Sequence, residues 1–173
     1  MVTPRGNGET PETITVMVEC PKGFNQKFDY EPKEQRFRLS KILPAGLVFP
    51  FDFGMIPGTK GEDGDPLDII VLSESGTFPG CLIDCRIIGA LQAEQTERDG
   101  KTMRNDRFLG VPGVSLLYAE VKTLNQLPEA ILDQLESFFK NYNEQAGKQF
   151  QVTARLNAQQ ALALINNNQS IWK

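Results

Sequence analysis

The chain has 173 residues, with 18 Lys+Arg, 22 Asp+Glu and no histidine. That length predicts one domain around a single core. The missing imidazole excludes Ser-His-Asp and Cys-His nucleophiles and His-ligated zinc, and the net charge of -4 offers no global positive field to a nucleic acid.

Residues 1–12 are polar and carry Pro4, Gly6, Gly8 and Pro11, which predicts a flexible N-terminal segment ahead of a single domain over 13–173. That segment has no apolar h-region, so it does not read as a signal peptide. No apolar run approaches the roughly 18 residues of a membrane span. Cys20, Cys81 and Cys85 read as reduced thiols. A cytoplasmic protein without membrane or nucleic-acid partners is expected.

Residues 13–20 are β-branched and predict a strand. Two short strands follow at 27–30 and 36–39. Residues 47–59 mix aromatic side chains with Pro50, Gly54, Pro57 and Gly58, which predicts an ordered but irregular wall. Residues 61–66 form an acidic turn, and 68–72 a buried strand. A long strand is expected over 81–91, a polar mobile loop or hairpin over 92–107, and strands at 108–111 and 115–121. A helix begins near Pro128, with Ile131, Leu135, Phe138, Phe139 and Tyr142 on one face. Asn157 reads as the N-cap of a second helix carrying Ala161, Leu162 and Ile165. Short strands followed by two C-terminal helices predict an α+β domain on a small barrel or strongly bent sheet.

The chemistry concentrates in Glu62-Asp63-Gly64-Asp65-Pro66-Leu67-Asp68. A solvated acidic loop is the simplest reading of such a run. Two features argue against it. Asp68 opens the apolar stretch Asp-Ile-Ile-Val-Leu, and Gly64 and Pro66 restrict the backbone between the acids. Oxygen-only ligands suit hard cations such as Mg²⁺, Mn²⁺ or Ca²⁺. An EF-hand does not fit, because Leu67 and Asp68 stand where that loop needs an oxygen ligand and a glycine.

Asp63-Gly-Asp65-Pro-Leu-Asp68 resembles the D-x-D-P-x-D signature of the family I soluble inorganic pyrophosphatases. The neighbours agree in order. Glu19-Cys-Pro-Lys-Gly resembles the family's E-I-P-K-G, Lys27-Phe-Asp29 its K-Y-E, and 49–57 its Y-P-x-N-Y-G-x-I-P. Phe78-Pro-Gly, Gly110-Val-Pro and 138–142 also fit. The likeness covers roughly residues 13–168. It implies an OB-like five-stranded β-barrel with two C-terminal helices packed outside, a homo-oligomer (a hexamer in the family's shorter members) and pyrophosphate as substrate. It also implies several Mg²⁺ ions, with Mn²⁺ as a substitute.

By that resemblance Asp63 and Asp68 ligate metals flanking a nucleophilic water, and Asp65 accepts its proton. Glu19 and Asp29 hold metal-bound waters. Lys27, Lys41, Arg107 and Tyr142 contact phosphate, and Asn105 completes the metal set. The chemistry is coherent, since a water between two cations loses its proton without help from histidine.

Several positions depart from the family pattern. Lys41 replaces an Arg, Phe49 and Phe53 replace tyrosines, and Asp29 replaces a Glu. Asn105 replaces a metal-binding Asp, Arg107 a Lys and Asn143 a Lys. A further family Asp falls near Glu94, Glu97 or Asp99, and Asp106 is a substitute if the loop shifts register. Lys22, Lys41, Arg104 and Arg107 are candidates to restore positive charge. Beside a working diphosphatase stand two alternatives: a phosphohydrolase with altered substrate or metal preference, and a weak metal- or anion-binding relative.

Overall fold

The computed structural model describes residues 12–170. The expected flexible segment over 1–12 therefore lies, Glu12 apart, outside the described residues.

Strand β1 (Ile14–Cys20) alternates, burying Val16, Val18 and Cys20 while Glu19 faces the other way. Strands β2 (Gln26–Glu31) and β3 (Arg36–Ile42) form a separate antiparallel hairpin. Strands β4 (Asp52–Ile56), β5 (Leu67–Val71), β6 (Leu82–Thr96) and β8 (Arg107–Pro112) join β1 in a ring. Its order is β1-β4-β5-β8-β6, and β6 pairs back onto β1. Only β5 and β8 run parallel. Closure leaves the five strands without an open edge, as the barrel expectation required.

Strand β6 is 15 residues long and pairs with four strands of one sheet, β8 among them. Its first residues pair with β1 and its last with β7 (Thr102–Arg104) and β9 (Gln149–Asn157). The register breaks between Ile87 and Gly89. A Cβ at Gly89 would lie 2.5 Å from the Leu156 carbonyl oxygen and 2.6 Å from Leu124 Cγ, so glycine alone permits this crossing.

Helix α1 (Glu129–Gln145) starts directly after Pro128, and α2 (Ala158–Asn167) after Asn157. Asn157 Oδ1 accepts from the Gln160 N–H at 2.8 Å, and Gln160 Oε1 accepts from the Asn157 N–H at 2.9 Å, a reciprocal cap. Helix α1 packs Leu135, Phe138 and Phe139 on Phe49, Leu91 and Leu109, while α2 packs Ala161 and Ile165 on Val16, Ile69 and Phe108. The barrel thus has one apolar layer under each helix. Arg155 on β9 ties α1 down through Glu129, Asp133 and Glu136, one face of that helix.

Three expectations change. The wall at 47–59 contains a regular strand, because its breakers fall at the ends of β4 while Gly54 admits the Met17 carbonyl of β1 in close contact. The predicted strand at 115–121 is instead a run of turns, with Val114, Leu116 and Leu117 exposed. Strand β9 was not anticipated. Among the described residues no helix is long and apolar enough to cross a membrane.

Candidate active site

A cavity of about 800 Å³ opens between the β2–β3 hairpin, one end of the barrel and α1. Each wall has a local cause. Glu19 enters because its neighbours on β1 take the core face. Lys27 and Lys41 enter as paired positions of the hairpin. The acidic turn is held by its own bonds: Gly61 N–H to the Asp65 carbonyl at 2.8 Å, and Asp65 N–H to Asp63 Oδ1 at 3.0 Å. Gly64 has φ of +87°, which a side chain would strain. Asp63 and Asp65 are thereby set on the rim, and Asp68 follows at the mouth of β5, beside Arg107 of β8.

On the acidic wall, burial and mutual repulsion outweigh the nearby cations Lys27 and Arg107. Burial, then the charge of Asp68, raises Glu19 to about 7. Burial raises Asp68 to about 6 although Arg107 opposes it. Burial and Asp63 also push Asp65 upward. Crowded carboxylates in a partly dry cleft are what a divalent cation relieves. The donor set fits a hard ion, since all the donors are oxygen. Among the described residues no three acidic or thiol side chains converge on one point, so an ion bound here would take one or two carboxylates and keep several waters.

Basic groups line the same cavity, and Lys27 lies close enough to Glu19, Asp65 and Asp68 to oppose their upward shifts. Lys27 Nζ bonds Asp29 Oδ1 at 2.5 Å. Burial pulls the Lys27 ammonium down, but Tyr142 and the bond to Asp29 outweigh it, and the net shift is upward. Lys41 is lowered by burial and by the nearby charges of Lys27 and Lys148. Burial pushes Tyr142 up to about 12, so its hydroxyl keeps its proton. Arg98 and Lys148 join these groups, fixed by the Ala146 carbonyl at 2.7 Å and by Glu97 at 2.9 Å.

An inorganic pyrophosphatase family model matches residues 16–173. The chain belongs to the inorganic pyrophosphatases. It is 34% identical over 157 residues to the inorganic pyrophosphatase of Halalkalibacterium halodurans, covering 90% of this chain and 93% of that one. The Nostoc sp. enzyme is 32% identical over 163 residues, with 94% of each chain covered. The crystal structure of the Thermus thermophilus inorganic pyrophosphatase superposes with a TM-score of 0.82 at 29% identity, covering 96% of this chain and 94% of that one.

The cavity gathers the ten side chains to which the family resemblance gives a role, Glu19, Lys27, Asp29 and Lys41 with Asp63, Asp65 and Asp68, then Asn105, Arg107 and Tyr142, together with Phe53, while Phe49 lies in the core. Other expectations need correction. Asp106 does not line the cavity. It is buried, accepts from the Ala93 N–H at 3.1 Å and pairs with Arg104. That pairing also removes Arg104 from the basic groups. Lys22 turns to the Ser73 and Glu74 carbonyls instead. Of the acids considered near 94–99, only Glu97 lines the cavity.

Sequence reasoning missed Gln95, Arg98 and Lys148. It ended β6 at residue 91, whereas the strand runs to Thr96, and period-2 alternation through Ala93 and Gln95 was the available signal. Lys148 follows the Gly147 turn after α1 and had no local signal at all.

Proposed function

We propose that this member of the inorganic pyrophosphatase family hydrolyses pyrophosphate to two phosphates with Mg²⁺ as the resident cation, Mn²⁺ substituting. The observation that carries the reading is one cavity lined by acidic groups (Glu19, Asp63, Asp65, Asp68) and basic ones (Lys27, Lys41, Arg98, Lys148) together. A polyanionic substrate needs both: carboxylates to hold cations, and ammonium or guanidinium donors.

When bound, the divalent ions would neutralise substrate charge and acidify coordinated water. Asp63, Asp68, Glu19 and Asp29 would hold them directly or through water. Asp65, exposed on the turn and held by Asp63, would take the proton of the attacking water. Lys27 and Lys41 would orient the two phosphoryl groups, and the Tyr142 hydroxyl would donate to a phosphoryl oxygen. Arg98 and Lys148 would supply the charge that Asn143 lacks. Exposed Leu82, Leu116 and Leu117 would be covered in an assembly of like chains, for which the hexamer is the resemblance's expectation.

A panel of pyrophosphate, tripolyphosphate, nucleoside diphosphates and organic diphosphates, run with Mg²⁺, Mn²⁺ and Co²⁺, tests the assignment. Clear preference for pyrophosphate supports it. Preference for another diphosphate replaces it with the altered-substrate reading.

A further inference from the structure

Asp68 Oδ2 and Asn105 Oδ1 lie 2.6 and 2.7 Å from the same atom, Arg107 Nη1. Two oxygens read above as metal ligands are therefore bridged by a guanidinium nitrogen. The guanidinium is firmly seated. Asp68 and Arg107 are paired positions on β5 and β8, and Arg107 is only 4% exposed. Its guanidinium carbon lies 5.0, 5.1 and 5.7 Å from the ring centres of Phe139, Phe150 and Phe53.

Arginine only donates, so Asn105 must turn its oxygen to Arg107 and its NH₂ elsewhere. That NH₂ donates to Gln95 Oε1 at 3.0 Å, and Gln95 Nε2 donates to Glu97 Oε1 at 2.8 Å. Lys148 closes the row on Glu97 at 2.9 Å. Two neutral amides thus stand in sequence beside Asp68. A divalent ion at this place would have to expel a buried guanidinium whose Nε already lacks a partner among the described residues.

We propose that Arg107 is a built-in cation, its guanidinium occupying the position between Asp68 and Asn105 in place of a divalent ion. The inference rests on the reading of the acidic wall as a metal site. It leaves Asp63, Asp65, Glu19 and the outer face of Asp68 to bind ions, and makes the charge beside Asn105 independent of metal concentration.

Anomalous scattering from crystals of the full chain soaked in Mn²⁺ tests it, together with calorimetric Mn²⁺ counting on wild type, Arg107→Gln and Arg107→Lys. Wild type is expected to show Mn²⁺ on the Asp63–Asp65 side, none between Asp68 and Asn105, and Arg107 in place. Arg107→Gln, checked for folding by circular dichroism, should gain one Mn²⁺ per chain, and Arg107→Lys none. A wild-type Mn²⁺ peak between Asp68 and Asn105 with the guanidinium displaced overturns the inference alone. Equal counts in wild type and folded Arg107→Gln also overturn it. Absence of Mn²⁺ from the cavity in both proteins overturns it and the metal reading together. Should Arg107→Gln not fold, the wild-type map decides.

Discussion

Lys41 Nζ lies 4.5 Å above the centre of the Tyr142 ring. The contact fixes a cation among the basic groups although Lys27 and Lys148 repel it, and burial with those charges holds the ammonium below the ordinary lysine range. A lysine whose folded pKa is depressed loses its proton earlier as pH rises. If Lys41 binds phosphate, the alkaline limb of kcat/KM lies below the pH of an unperturbed lysine. Lys41→Arg keeps the charge to far higher pH and should move that limb upward. A pH profile of both proteins checks this, and an unmoved limb removes Lys41 from substrate binding.

Asp65 sits on the turn that Gly64 shapes and accepts no hydrogen bond through its side chain in the described residues. Its carboxylate is free to take a proton. Asp65→Asn should lower kcat by roughly 10²–10⁴-fold, the usual worth of a positioned base, with the melting temperature little changed. Activity within a factor of about two of wild type would reassign the base.

Lys148 has a weaker hold, a single pair with Glu97 at the cavity rim. Its removal in Lys148→Ala should raise KM for pyrophosphate by about tenfold, the scale of one charged hydrogen bond, and leave kcat nearly intact. A kcat loss at unchanged KM would contradict a role in ground-state binding.

Gly89→Ala tests the crossing of β6 and β9. The added carbon meets the Leu156 backbone and Leu124 together, so the variant should lose about 1–3 kcal/mol in urea denaturation. Stability equal to wild type would mean that β9 can shift away at no cost.

The elements with strong periodicity were legible from the residues. Strand β1 alternates β-branched side chains, and α1 and α2 carry clear apolar faces with Pro128 and Asn157 at their starts. Strand β9 was missed although Phe150, Val152, Ala154 and Leu156 alternate with polar Gln, Thr and Arg, the period-2 pattern of a half-buried strand. The stretch at 115–121 misled in the other direction. Its apolar residues suggested burial, yet Glu74 Oε1 accepts from the Leu116 and Leu117 N–H groups and holds that stretch as a loop with their side chains outward. Within the site, the acidic turn was readable because its acids are contiguous. The Asp68–Arg107–Asn105 network was not, since it depends on β5 and β8 lying side by side, 39 residues apart in sequence.

Phosphate release from pyrophosphate by the purified full chain, with Mg²⁺ in excess and again with a chelator, tests the central claim. Release with Mg²⁺ that stops on chelation and returns when Mg²⁺ is restored is the predicted result. A folded protein that releases no phosphate in Mg²⁺, or releases it equally well with the metal removed, would contradict the account.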